Sequence, residues 1–319
     1  MDGDRYTAYQ ALLKIEKDQA YSNIVLNHLI DERKPKAPAF VRELTYGVLE
    51  NQYYLDYLIR QLLTKKKIKK EPLILLRMGI YQIRSMDTVP DHAAVDEMVR
   101  IAKKVCHSQS GLVNAVLRNY LRKKEQLKQP SQEEDPVVRL SAMYSCEPWI
   151  VRLWMEQLGE EQTEALLKAG NAAPPLTVRV NTLRTSLEEL KQSLSGKNIQ
   201  AADVPETDRA LILKGRDILS LPEYREGWFS VQDAASVIAV DALDPKAGDL
   251  VVDVCAAPFG KTLAAAERMG NEGQIRAFDL YPNKVRKLEK AAGRLGITIA
   301  SAEVHDASEP IPELAGQAD

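Results

Sequence analysis

The sequence predicts a multidomain chain: an all-α N-terminal domain, a small α+β linker subdomain, and a Rossmann-like α/β domain built on a parallel, doubly wound sheet. Three observations predict it. The 319 residues exceed what one domain usually holds. Apolar residues recur at intervals of three and four through roughly the first 125 residues, with no strand pattern. From Trp228 onward, short apolar runs alternate with helix-period segments. The expected boundaries are 1–128, 136–227 and 228–319.

In the helical half, Ala8, Leu12 and Ile15 share one face, as do Ile24, Leu26 and Leu29, and then Val41, Leu44, Val48 and Leu49. A further helix carries Pro72 in its first turn, with Leu73, Leu76, Ile80 and Ile83 on one side. Asp91 and Ser110 precede two more helical patterns and read as N-caps. The stretch QLKQPSQEEDP is polar, acidic and broken by Pro130 and Pro136, the composition of a linker or hinge. A second helical piece, about 136–172, ends at Pro174 and Pro175. TVRVN then alternates as a strand, SLEELKQSL reads as a helix and RALILK as a strand, a segment too short to be independent. Beyond Trp228 the order is helix, LVVDV as a buried strand, GKTLAAAERMG as a helix, IRAFDL as a strand, PNKVRKLEKAAGRLG as a helix and ITIASAEV as a strand.

Composition narrows the function classes. No window approaches the ~18–20 apolar residues that span a bilayer, and the N-terminus lacks the basic-then-apolar pattern of a signal peptide, so a cytoplasmic, membrane-free protein is expected. Cys106, Cys146 and Cys255 have neither pair spacing nor a histidine cluster, which argues against disulfides and against a metal site. The net charge of −2 conceals a bipolar chain. Residues 1–130 hold 23 Lys and Arg against 15 Asp and Glu, net +8; the remainder holds 20 against 30, net −10. Basic residues gather at Arg33, Lys34 and Lys36, at Lys65, Lys66, Lys67, Lys69 and Lys70, and at Arg122, Lys123 and Lys124. Any one such run also reads as a solvated helix end; three in one half favour a polyphosphate partner, an RNA.

The segment that carries chemistry is DVCAAPFGKT, 253–262, which follows a strand and opens a helix. Ligands of open α/β sheets sit at the carboxyl ends of strands, where helix N-termini offer free N–H groups. Asp279 ends the next strand, 19 residues after Gly260, where an acidic side chain accepts from ribose hydroxyls. Asp306 follows the third strand, placed to accept from an adenine amino group. For one aspartate alone, a loop or capping role is the plainer reading; acidic groups at successive strand ends point to a nucleoside cofactor. The dinucleotide fingerprint G-x-G-x-x-G is absent. A P-loop fits only at Gly260, Lys261 and Thr262, with Cys255 at the first glycine and Pro258 removing a donor.

DVCAAPFGKT resembles the DxCAAPGGKT motif of RNA cytosine-C5 methyltransferases that use S-adenosylmethionine. FSVQDAAS, 229–236, and PPLTVRVN, 174–181, are similar to two further segments of that group. The helical half, with ALLKIEKDQAYSN, FVRELTYGVLE and GLVNAVLR, resembles the NusB-like RNA-binding domain of one branch, the bacterial RsmB (Sun or Fmu) family, which methylates 16S ribosomal RNA. The resemblance runs through all 319 residues. It implies that Cys255, Ala256, Ala257, Pro258, Phe259, Gly260 and Lys261 touch S-adenosylmethionine, Asp279 its ribose and Asp306 its adenine. It implies 16S ribosomal RNA as partner.

Two departures shape the expectations. Phe259 stands where the motif has glycine, so strain or a ring in cofactor space is expected, with weak or absent cofactor binding that Phe259→Gly improves. The chain ends at GQAD, about where the family's fourth strand begins, before the Pro-Cys and Thr-Cys motifs whose cysteines act in catalysis. The methyltransferase domain is therefore expected to be incomplete and inactive as it stands, with no catalytic residue to name. The alternative reading is a noncatalytic RNA-binding or ribosome-assembly factor using the helical half.

Overall fold

The computed structural model describes residues 3–64 and 67–319; Lys65 and Lys66 of the second basic cluster lie outside the described residues. The chain divides into two compact units, Met1–Ala173 and Pro174–Asp319.

The first unit is all helical: α1 Gly3–Asp18, α2 Ser22–Arg33, α3 Pro38–Glu50, α4 Gln52–Leu62, α5 Lys70–Ser85, α6 Asp91–Val105, α7 Ser110–Lys123, α8 Pro136–Tyr144, α9 Pro148–Leu158 and α10 Glu160–Gly170. Helix α5 is the axis, touching α1, α3, α4, α6 and α7, and Ile74 through Ile80 are all buried. A stretch apolar on nearly all sides must be surrounded, and 74–80, with Arg77 its one charge, is. Gly47 of α3 permits one close approach: a Cβ there would lie 2.0 Å from the Tyr81 ring of α5. Leu26, Leu44, Leu55, Leu75 and Met98 belong to the resulting core.

Asp91 and Ser110 do not cap. The carbonyl of Pro90 accepts from Ala94 N at 3.1 Å, which makes Asp91 the first residue inside α6. Ser110 Oγ donates to His107 O at 2.8 Å, closing a preceding 3-10 turn. The stretch expected to be a hinge is instead strapped to α4. Gln61 and Lys128 exchange two hydrogen bonds, at 3.0 and 2.9 Å, Tyr54 donates to Gln129 at 3.1 Å and Tyr57 to Glu133 at 3.1 Å. Helix α8 packs on α4, so residues 136–173 fall on the helical side of the division.

The second unit holds two sheets. Strands β1 Thr177–Val180, β2 Gln200–Val204, β3 Thr207–Lys214 and β4 Phe229–Val231 form an antiparallel sheet in the order β2-β3-β1-β4, with α11 Leu187–Ser195 and the single turn α12 Pro222–Arg225 between them. Its fourth strand lies beyond residue 227, in the segment assigned by sequence to the α/β domain. Val178 pairs with Leu211 and Val231; Val178 and Val180 pack with Leu190 and Leu194 of α11. Period two turns Thr177 and Arg179 to the opposite face, and they are buried too.

After α13 Ala234–Leu243 come β5 Leu250–Asp253, α14 Gly260–Arg268, β6 Gln274–Asp279, α15 Pro282–Val285, α16 Lys287–Leu295 and β7 Ala300–Val304. The parallel order is β5-β6-β7, with Val252 opposite Arg276 and Ala277 opposite Ala302. The expected buried strand LVVDV is half-buried along Leu250–Asp253 and exposed at Val254, because β5 is an edge. On its free side Asp319 N donates to Leu250 O at 3.3 Å and Leu250 N to Asp319 Oδ2 at 2.9 Å. Among the described residues no helix is long and apolar enough to cross a membrane.

Candidate functional site

Strand β5 ends in Asp253, whose carboxylate ties down both sides of the following loop, accepting from Thr262 Oγ1 at 2.7 Å and from Cys255 N at 3.3 Å. Ala256 N reaches the carbonyl of Phe278 at 2.9 Å, and Ala257 N the Asp279 carboxylate at 3.2 Å, so β6 holds the middle of the loop. Asp253 and Asp279 end neighbouring strands and Asp306 lies just past the third, as the sequence reading places them. Asp279 is buried, and its other oxygen accepts from Tyr281 N at 3.2 Å with Lys284 Nζ 3.6 Å away. Asp306 is exposed; Ser308 N, at 2.9 Å, and Ser308 Oγ, at 2.7 Å, hold its carboxyl below the usual carboxylate range.

A cavity of about 610 Å³ opens over the loop. Asp253, Cys255, Ala257, Gly260 and Lys261 line it, with Ser236 and Leu243 from α13 facing them. Asp279 and Asp306 are not part of its wall. The structure thus brings the loop residues together on one cavity and leaves the two aspartates at adjacent strand ends beside it.

Phe259 has φ +71°, the left-handed conformation for which glycine is favoured. Its ring neither fills the cavity nor meets solvent: it is 1% exposed, in the core with Val240, Leu263 and Leu288. The backbone strain costs ~1–2 kcal/mol. Burying a phenylalanine side chain returns roughly 1.5–3 kcal/mol, which is why the residue is accommodated.

The residue that sequence reasoning missed is Arg179. Its guanidinium is 1% exposed and grips Glu267 of α14 through two bonds, 2.7 and 2.8 Å. Its remaining nitrogen donates to Gly260 O at 2.8 Å and to Gln232 Oε1. One side chain therefore joins the segments PPLTVRVN, FSVQDAAS and DVCAAPFGKT. Because arginine only donates, Gln232 must present its oxygen, leaving Nε2 buried and without a partner beside Gly260. Burial pushes the Glu267 carboxyl up and Arg179 opposes that. The overlooked signal was an arginine between two valines, Val178 and Val180, in a short strand.

All the described basic cluster residues are exposed and lie in the first unit. Arg33 stands 5.6 Å from the Tyr6 ring, which Lys104 meets from 4.6 Å; Lys36 N donates to Asp4 at 2.9 Å. Lys70 Nζ donates to Glu16 O at 3.2 Å, while Lys67 and Lys69 are exposed near it in sequence. Arg122, Lys123 and Lys124 close α7. Among the described residues no cluster could hold a metal ion. Cys255 is exposed, and burial raises the thiols of Cys106 and Cys146.

Residues 3–122 match the NusB family, 147–218 the ferredoxin-like domain of the RsmF/B-like methyltransferases, and 240–318 the 16S rRNA methyltransferase RsmB/F family. The chain is 37% identical over 309 residues to a probable ribosomal RNA small subunit methyltransferase B of Bacillus subtilis, covering 95% of this chain and 68% of the relative. A protein of the same description from Synechocystis is 36% identical over 315 residues, covering 96% and 70%. Among solved structures, that of PH0851 has the same fold, with a TM-score of 0.67 at 24% identity over 98% of this chain and 72% of that one. A methyltransferase homolog from Pyrococcus horikoshii gives 0.52 at 31% identity, over 57% and 60%.

Proposed function

Because the chain belongs to the RsmB/F family of ribosomal RNA small-subunit methyltransferases, we propose that it serves S-adenosylmethionine-dependent methylation of cytosine C5 in 16S ribosomal RNA. The observation that carries the cofactor reading is the row of acidic groups at the ends of β5, β6 and β7 around a loop that opens a helix. The residues fit the group. Gln232, whose buried Nε2 lacks a partner, lines the cavity beside Gly260, and the Phe259 ring is turned into the core.

In this reading the loop from Cys255 to Lys261 lines the cofactor's methionine end. The first turn of α14 and the Lys261 ammonium attract its carboxylate. Asp279 accepts from the ribose hydroxyls and Asp306 from the adenine amino group. S-adenosylmethionine supplies an electrophilic methyl group when bound. Carbon 5 of cytosine is a poor nucleophile and needs a thiolate added at C6 before it can take that group. We assign that thiolate to none of the three cysteines: Cys106 and Cys146 stand in the helical unit, and Cys255 belongs to the cofactor loop. The basic residues Arg33, Lys34, Lys36, Lys65, Lys66, Lys67, Lys69, Lys70, Arg122, Lys123 and Lys124 supply RNA affinity.

Calorimetry with S-adenosylhomocysteine tests the cofactor site. Binding that Asp279→Ala weakens about tenfold or more, the loss of one hydrogen bond to a charged acceptor, supports it. No binding by the wild-type chain refutes it and favours the noncatalytic reading.

A further inference from the structure

Arg77 and Arg84 lie two turns apart on the same face of α5 and meet opposite fates. Arg77 is buried and held by Asp56 and Glu16. Arg84 is exposed and makes no ion pair among the described residues. Its guanidinium lies 4.6 Å from the centre of the Tyr54 ring and lines one cavity with Tyr120, so it is oriented by an aromatic face without being neutralised. It faces a cavity of about 530 Å³ roofed by the strap of residues 127–132. Lys124, which likewise makes no ion pair among the described residues, lines the same cavity with Glu125 and Gln132. Gln132 Oε1 is taken by Gln129 N at 2.9 Å, so its amide nitrogen remains to donate.

We propose that this cavity is a nucleotide subsite for single-stranded RNA: Arg84, Lys124 and Gln132 hold one backbone phosphodiester, and Glu125 accepts from the adjoining 2′-hydroxyl. The chemistry selects that ligand. A guanidinium fixed on an aromatic face offers its planar edge to two phosphate oxygens. One carboxylate among the donors disfavours a dianion and suits a group that brings its own hydroxyl. The inference rests on the RNA reading above and goes beyond it, because Arg84 and Gln132 belong to none of the basic clusters.

The test is fluorescence anisotropy of the full chain with a single-stranded 16S RNA segment, and with DNA of the same sequence, over a series of salt concentrations. Arg84→Met, which keeps the stem on Tyr54, is expected to weaken RNA binding about tenfold, the loss of a charge-assisted hydrogen bond. It should lower the slope of log affinity against log salt by about 0.7, the value for one phosphate contact on a single strand. Lys124→Gln, at an exposed helix end that folding does not need, should lower the slope likewise. Glu125→Ala, which removes the acceptor, should reduce the preference for RNA over DNA. Wild-type binding left unchanged, in affinity and slope, by both Arg84→Met and Lys124→Gln overturns the subsite alone. A wild-type chain that binds no RNA overturns the subsite together with the RNA reading.

Discussion

Arg77 in the first unit and Arg179 in the second are both buried, and the two differ in what they neutralise. Arg77 ties α1, α4 and α5 together through Glu16 and Asp56, two carboxylates that keep 27% and 15% of their side-chain surface. Arg179 meets a single carboxylate, Glu267, with no exposed surface at all, and spends its other nitrogen on Gly260 O and Gln232. The first is an ion cluster that fastens helices. The second is a dry pair that also fixes the backbone where the loop enters α14. A buried charge is tolerable only while its partner stays, so the two arginines should fail differently.

The largest effect expected is from Arg179→Met. It strands the Glu267 carboxylate in the core, and breaking a fully buried pair costs about 3–5 kcal/mol. Hydrogen exchange on the amides of residues 174–319 would register the loss there, with residues 3–173 unaffected. The double variant Arg179→Met, Glu267→Met should recover most of that stability, since a dry ion pair and an apolar pair of similar volume are often equivalent. It should not recover S-adenosylhomocysteine binding, because the hold on Gly260 is gone. A single variant that loses less than about 1 kcal/mol would mean that water reaches Glu267.

Next comes Phe259→Gly. Removing a buried ring costs about 3–5 kcal/mol, and relief of the left-handed backbone returns ~1–2 kcal/mol. A net loss of about 1–4 kcal/mol in urea denaturation follows from those two terms. Tighter cofactor binding is not expected, since the ring lies among Val240, Leu263 and Leu288 rather than over the cavity. This reverses the direction suggested by the motif alone. Sequence identified the position as one that prefers glycine, and φ +71° bears that out; which way the ring pointed depended on packing from α13 and α16.

The same limit explains what else was legible. Helix period, strand alternation and the three motif segments gave the element order, because each is a local property of a few residues. Arg179 was hidden because alternation in TVRV assigns the polar position to solvent, and its partner Glu267 lies 88 positions away. The strap was read as a hinge because its polar residues and prolines look alike whether they face water or bond Tyr54, Tyr57 and Gln61.

Arg77→Met sharpens the comparison from the other side. Burial works against the charge of Arg77, yet Asp56 and Glu16 outweigh it and hold the guanidinium above its usual range. When the arginine goes, both carboxylates can turn toward water, so the expected cost is about 2 kcal/mol, below that of Arg179→Met. Equal losses for the two variants, measured by the same hydrogen-exchange experiment, would break the distinction drawn between a half-wet cluster and a dry pair.

The smallest effect lies at the surface of the second unit, where Arg268 bridges Asp241 and Asp244 and Lys246 also meets Asp244. Hydrogen bonds from Arg268 and then Lys246 hold the Asp244 carboxyl down, from 3.8 to about 2. A carboxylate depressed in the folded state binds fewer protons there than in the unfolded chain, so its contribution is complete above the unfolded value near 3.8 and fades as the pH falls toward about 2. The cluster is exposed and screened, so the contribution should also shrink with added salt. Asp244→Asn is expected to flatten the acid limb of stability against pH between those two values while leaving stability at pH 7 only slightly lower. Thermal unfolding at several pH values in low and high salt reads this. An acid limb identical in the variant would show that Asp241, which also takes Arg209, holds Arg268 without help from Asp244.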